Sequence, residues 1–221
     1  MAAMRLPAKI CGLSTPEGVE AAIRGGAGYL GFNFFAPSPR CVEPEAAARL
    51  AAPARAAGVR ICAITVDAGD DLVDRIVRNL APDFLQLHGK EPPGRARELA
   101  GRTGAGLIRA LPVGEASDLQ AAQDWAGLVD HLLLDARPPK GAAMTGGLGV
   151  AFDWTLVKDF RPARPWFLAG GLDPWNVAGA LEVSGAPMVD VSSGVERGPG
   201  LKDPSLISAF LDAVRRARPQ A

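Results

Sequence analysis

The chain has 221 residues, 24 Lys and Arg against 24 Asp and Glu, and a hydrophobic fraction of 48%. That length suits one large domain or two small ones, and the apolar content can fill a sizeable core. Zero net charge argues against a general nucleic-acid or membrane-surface role, and no apolar run reaches the length of a membrane span. Residues 1–7 carry one Arg and no long apolar stretch, unlike a secretory signal. The three cysteines, at positions 11, 41 and 62, are odd in number and form no CxxC pair. This usage fits a reducing cytoplasm rather than a disulfide framework. His88 and His131 are too far apart in sequence to suggest a metal motif, and no metal or cofactor is expected.

In chain order, residues 8–11 read as a short strand ended by Gly12. Ser14-Thr15-Pro16-Glu17 opens a helix: Ser14 or Thr15 can cap, Pro16 suits the first turn and Glu17 suits the dipole. Residues 29–34 form a second strand, followed by a loop stiffened by Pro37 and Pro39 and an Ala-rich helix from Glu43. Strands are expected at 60–66, 83–87, 107–111, 130–134, 166–169 and 188–191. Helices are expected at 70–80, 92–100, 115–125 and 152–160, then from an Asp173 cap to Leu181. A last helix is capped by Asp203 with Pro204 at its first position. The helix at 70–80 carries an apolar stripe at Leu72, Val73, Ile76, Val77 and Leu80. Residues 137–149 form the longest break, rich in Gly and Pro.

The strands are short and continuously apolar, as parallel strands covered by helices should be. Eight strand–helix units in this length predict a single α/β domain over residues 1–221, a closed (β/α)8 TIM barrel. The rival is an open doubly wound sheet. Its dinucleotide-binding version is weakened because no GxGxxG follows the first strand.

In such a barrel the active site lies at the C-terminal ends of the strands. That rule selects Cys11, Asn33, Asp67, His88, Asp135, Gly170-Gly171 and Ser192-Ser193-Gly194, with Arg40 from the second loop. A strand-end cysteine is commonly an inert buried residue, but its thiolate can act as base or nucleophile where cations lower its pKa. Asp135 can be a helix cap, a partner for Arg137, or a general acid whose pKa is raised by burial at the mouth. Arg40 can be solvated or can clamp a carboxylate. For His88 a role satisfied within the structure is the commoner one, and Asp67 can cap the next segment. Cys41 and Cys62 read as loop and core residues. Loops after strands 7 and 8 are a frequent phosphate site in barrels. The two Gly clusters there, with Gly146-Gly147-Leu148-Gly149, point to a dianion held by backbone N–H groups.

Seven segments carry a specific resemblance: Lys9-Ile10-Cys11-Gly12; Gly31-Phe32-Asn33-Phe34-Phe35 with Ser38-Pro39-Arg40; Gln86-Leu87-His88-Gly89; Leu133-Leu134-Asp135; residues 146–149 with Phe152-Asp153-Trp154; residues 168–172; and residues 189–196 with Pro199-Gly200 and Lys202-Asp203. In this order, across nearly the whole chain, they resemble phosphoribosylanthranilate isomerase. Two departures stand out. Val150-Ala151 replaces the usual Lys before Phe-Asp-Trp, and the third strand ends in Ile64-Thr65-Val66-Asp67.

The resemblance implies an Amadori rearrangement of N-(5-phosphoribosyl)anthranilate, in tryptophan biosynthesis, with Asp135 as general acid and Cys11 as general base. It places Arg40, His88, Gly147, Gly149, Gly170, Gly171, Asp190, Ser193 and Gly194 at the substrate. It implies no cofactor, a small phosphosugar–anthranilate ligand, and a monomer or homodimer. The rivals are another phosphate-binding barrel, such as indole-3-glycerol phosphate synthase or a bifunctional isomerase, and a non-catalytic phosphosugar-binding barrel.

Overall fold

A computed structural model describes residues 7–137, 149 and 151–217. Eight strands alternate with helical segments: β1 (Ala8–Cys11), β2 (Tyr29–Asn33), β3 (Arg60–Thr65), β4 (Phe84–Leu87), β5 (Gly106–Val113), β6 (His131–Ala136), β7 (Trp166–Leu168) and β8 (Met188–Val191). They close into one barrel in sequence order. β1 pairs in parallel with both β2 and β8. The expected (β/α)8 barrel is therefore present, with α1 (Pro16–Gly25), α2 (Pro44–Ala56), α3 (Asp70–Leu80), α4 (Pro93–Thr103), α5 (Val177–Ser184) and α6 (Pro204–Arg216) around it. The caps at the first and last helices match the sequence reading. Thr15 Oγ1 accepts from the Gly18 N–H at 3.3 Å, and Asp203 accepts from Ser205 and Leu206.

Two faces of each strand serve two cores, because side chains alternate along a strand. Ala8, Ile10, Leu30, Phe32, Leu85 and Leu87 point outward and join the helices in one cluster. Ala47, Ala51 and Ala54 let α2 pack closely on the sheet. Cys11, Cys62, Ile64, Ile108, Ala110, Leu133 and Ala169 belong to the second cluster, inside the barrel. The N-terminal end of the barrel is closed by rings: Tyr29 lies against Phe84, His131 and Phe167, with centroids 5.2–6.1 Å apart. His131 Nδ1 faces the Asp130 carbonyl at 2.7 Å, and its Nε2 lies 3.4 Å from the Tyr29 hydroxyl. Burial holds this imidazole below its ordinary pKa. It is a neutral plug far from the strand ends that carry the chemistry.

Lys9 lies on the same inward face as Cys11 and is fully buried. Its Nζ donates to Asp190 Oδ1 at 2.8 Å, and the two residues are register partners across the β1–β8 seam. Burial alone would lower the Lys9 pKa, but the charge and hydrogen bond of Asp190 act the other way, and the net direction is upward.

Three elements differ from the sequence reading. Residues Ala116–Trp125 form a 3-10 helix rather than an α-helix. Only Ala122 and Trp125 of it are buried, so little apolar surface anchors it. Asp118 instead fixes its start by accepting from the N–H groups of Gly114 and Glu115. The segment expected at 152–160 shrinks to a 3-10 turn, Trp154–Val157, capped by Asp153. Asp173 does accept from Trp175 and Asn176, but regular helix begins only at Val177. A small hairpin, β9 (Glu196–Gly198) with β10 (Leu201–Lys202), follows β8.

Lys9→Met should destabilise the protein by about 3–5 kcal/mol, because it strands the Asp190 carboxylate in the interior. Urea unfolding checks this, and Lys9→Met with Asp190→Leu should recover most of the loss.

Candidate active site

Cys11 is the last residue of β1 and Asp135 the last but one of β6. Both share the inward face of their strands, with Lys9 and Leu133 two residues earlier. The two strands stand three steps apart round the closed sheet, with β7 and β8 between them. Gly31 makes room for the sulfur: a Cβ there would sit 3.2 Å from Cys11 Sγ. Burial pushes the Cys11 thiol above its ordinary pKa, while Lys9 and Lys202 pull it down and Asp190 adds to the rise; the net direction is upward. The resting thiol is thus mainly protonated, held next to two ammonium groups that favour its anion.

Asp135 Oδ1 accepts from the Ala136 N–H at 2.9 Å. Its Oδ2 lies 3.3 Å from His88 Nε2. Arg137, one possible partner in the sequence, turns instead to Asp118 and Glu115. His88 follows β4 and its Nδ1 lies 3.1 Å from Gln86 Nε2. His88 therefore sits beside the candidate acid, with its ring between an amide and a carboxyl group.

Arg40 was expected on a stiff loop at the mouth. It is buried there, not solvated. Its Nε donates to Glu196 Oε1 at 2.7 Å and its Nη2 to Oε2 at 2.8 Å. The side chain crosses Gly12, where φ is +74° and a Cβ would stand 2.6 Å from Arg40 Cδ. Only glycine suits that position, for both backbone and space. Lys202 Nζ donates to the same Glu196 Oε1 at 2.6 Å and to the Ser192 carbonyl at 2.8 Å. Burial would raise the Glu196 pKa, but Arg40 and Lys202 hold it below the usual value. Burial lowers that of Lys202 despite Glu196. Gly200 completes the joint: its N–H donates to Glu196 Oε2, and a Cβ on it would stand 2.4 Å from the Pro39 carbonyl.

The loops after β6, β7 and β8 meet at glycines. A Cβ on Gly171 would collide with Ala151, and one on Gly194 with the Leu172 carbonyl. A Cβ on Gly149 would face Ser193 Oγ at 3.7 Å. Gly170 and Gly171 both have positive φ. Among the described residues, the N–H groups of Gly171, Ser193 and Gly194 have no hydrogen-bond acceptor. Ser193–Val195 is a single 3-10 turn, so its first N–H groups point away from it. Gly147 lies outside the described residues.

Asp67 does not cap the next helix. It accepts from the Lys90 N–H at 2.7 Å, and its left-handed φ of 48° bends the chain toward the β4 loop. Glu91 and Arg109 were not singled out from the sequence. They form a buried pair at 2.7 Å, and Glu91 also accepts from the N–H groups of Asp67 and Gly89. The arginine lies over the Trp125 ring. Glu196, Lys202 and Gln86 lay inside recognised motifs but carried no role there. Period-two alternation through Phe84, Gln86 and His88 was the available signal for Gln86. Among the described residues, no group of three or more His, Cys, Asp or Glu side chains could hold a metal ion, and no helix is long and apolar enough to cross a membrane.

The family model described as N-(5'-phosphoribosyl)anthranilate isomerase matches residues 8–213. A relative from Caulobacter sp. (strain K31) bearing that name is 58% identical, over 95% of this chain and 98% of its own. The crystal structure of phosphoribosyl anthranilate isomerase from Thermotoga maritima is similar with a TM-score of 0.85 at 31% identity, covering 96% of this chain and 99% of that one. A phosphoribosyl anthranilate isomerase in complex with reduced 1-(o-carboxyphenylamino)-1-deoxyribulose 5-phosphate has a TM-score of 0.81 at 30% identity, covering 96% and 99%.

Iodoacetamide should alkylate Cys11 slowly at neutral pH and keep accelerating above the ordinary thiol range, since only the thiolate reacts. Peptide mass mapping follows this. Cys62, pushed up to about 12 by burial, should stay unmodified in the folded protein. A Cys11 rate that levels off below the ordinary thiol range would mean that the lysines outweigh burial.

Proposed function

Because the chain belongs to the N-(5'-phosphoribosyl)anthranilate isomerase family, we propose that it converts N-(5-phosphoribosyl)anthranilate to 1-(2-carboxyphenylamino)-1-deoxyribulose 5-phosphate, with Asp135 as general acid and Cys11 as general base. The observation that carries this reading is the placement of a thiol and a carboxyl on the inward face at two strand ends, under one glycine rim.

The chemistry divides between them. Asp135 gives its proton to the furanose ring oxygen. The C1–oxygen bond breaks with its electrons going to that oxygen, and the nitrogen lone pair forms the C=N bond. Cys11 first gives up its own proton to water; the thiolate then takes the proton from C2, and the electrons move through C1 to nitrogen, leaving an enolamine. Protonation at C1 and loss of the C2 hydroxyl proton give the ketone. Nothing is oxidised or reduced overall. Base and acid need opposite protonation states; Lys9 and Lys202 favour the thiolate against burial at the sulfur, and His88 stands by the carboxyl.

The rest of the site binds. Arg40 takes the anthranilate carboxylate, its guanidinium plane set by Glu196. The N–H groups of Gly171, Ser193 and Gly194, with Gly149 alongside, hold the phosphate as a backbone nest does. Gly170 gives that loop its turn, His88 borders the reacting centre, and Asp190 faces the sugar hydroxyls from beside Lys9. Gly147 keeps its place in this reading through the motif alone. Lys9 has no part in a Schiff base, since Asp190 binds its ammonium and holds it charged; that disfavours an amine-nucleophile barrel.

Cys11→Ala and Asp135→Asn should each lower kcat by on the order of 10²–10⁴ with KM little changed. The fluorescence of the anthranilate group, followed with purified protein, measures turnover, and complementation of an isomerase-deficient strain tests the substrate. Near-normal turnover in either variant rules out its assignment. Gly194→Ala should mainly raise KM, on the order of tenfold or more, by driving a methyl group into the Leu172 carbonyl and displacing the phosphate amides.

A further inference from the structure

Gln86 is a buried polar side chain that the reaction above leaves without a task. It sits on the inward face of β4 and is 1% exposed. Its Nε2 is 3.1 Å from His88 Nδ1. Its Oε1 is buried with no hydrogen-bond partner among the described residues. An unpaired buried acceptor is costly and calls for a reason.

The reason follows from the ring. An amide N–H can donate to Nδ1 only when that nitrogen holds a lone pair, so the imidazole proton must be on Nε2. Nε2 is the nitrogen 3.3 Å from Asp135 Oδ2. Turning the amide over would give Oε1 a partner, provided that the proton moved to Nδ1, but would leave the amide Nε2 without one instead. The ring Nε2 could then no longer donate to Asp135. Of the two orientations, each of which leaves one amide atom unpaired, the one in which the amide Nε2 meets Nδ1 keeps an N–H aimed at the carboxyl group.

We propose that Gln86 is a positioning residue for the acid step: its amide holds the His88 proton on Nε2, where it orients the Asp135 carboxyl and stabilises the carboxylate left when the proton has gone to the sugar. The inference rests on Asp135 being the acid. It parallels the general rule that a ring nitrogen aimed at its target is set by the bond made at the other nitrogen.

Other contacts hold the backbone round His88. Its N–H donates to the Thr65 carbonyl. Glu91 accepts from the Gly89 N–H, and Arg109 donates to the Gly89 carbonyl. Loss of the Gln86 amide therefore changes the ring's protonation pattern more than its position.

The test uses the full chain. The protein holds two histidines, so nitrogen NMR of the labelled protein, assigned with His131→Asn, reads the His88 tautomer directly. The wild type should show Nε2 protonated and Nδ1 bare. Gln86→Met should lose that preference, and Gln86→Glu, whose carboxylate accepts only, should reverse it. In both variants kcat should fall on the order of tenfold or more, with KM within about twofold. A wild-type ring protonated on Nδ1, or full kcat in Gln86→Met, overturns the inference. If the glutamate variant fails to fold, the wild-type spectrum and the methionine variant still decide. Turnover retained in Asp135→Asn would instead sink the acid assignment itself. An inactive Asp135→Asn beside a fully active Gln86→Met would sink this inference alone.

Discussion

The barrel closes where β8 meets β1, and at that seam two charges are buried together. Lys9 and Asp190 are register neighbours and ion-pair partners at 2.8 Å. Neither charge would be tolerated there alone, since several kcal/mol are lost when an ion leaves water without compensation. Their union makes the last strand specific to the first, in one register. It also sets the field in which Cys11 sits, two residues further along the same face. One member of that pair, Lys9, also lessens the penalty for a thiolate at Cys11, while Asp190 adds to it.

A second buried set performs the same double task at the loops. Glu196 receives Arg40 from the loop after β2 and Lys202 from the hairpin after β8. Glu196 stands between two cations in a site read as binding two anionic groups, a carboxylate and a phosphate. Burial works against each ion separately, lowering the Lys202 pKa and tending to raise that of Glu196. The network holds because every partner is present, as buried polar networks must. It fixes the guanidinium plane of Arg40, which a solvated loop arginine would not have.

The glycine rim supplies the remaining constraint. Close approaches at Gly171 and Gly194 bring backbone against backbone, where even a methyl group collides. Space taken by side chains elsewhere is here given to N–H groups. N–H groups set at such a rim can hold a dianion without a cluster of lysines.

The strand–helix alternation was legible because each strand is a short apolar run and each break carries Gly, Pro or a capping residue. Eight such units in this length leave few topologies open. Cys11 and Asp135 were legible as strand-end residues, and the Gly clusters as loops after the last strands. The partners of Arg40, His88, Gln86 and Glu196 were not. A sequence orders residues along one dimension, while Arg40 meets Glu196 across 156 positions and Asp135 meets His88 from another strand. Register round a closed sheet decides such meetings, and it depends on the packing of all eight strands at once. The same holds for the helices that became 3-10 turns at 116–125 and 154–157: local propensity allowed an α-helix, but too little apolar surface faced the barrel to hold one. Periodicity and turn chemistry determined the architecture by themselves; only tertiary packing decided which charges would be buried together, and so which groups the site could use.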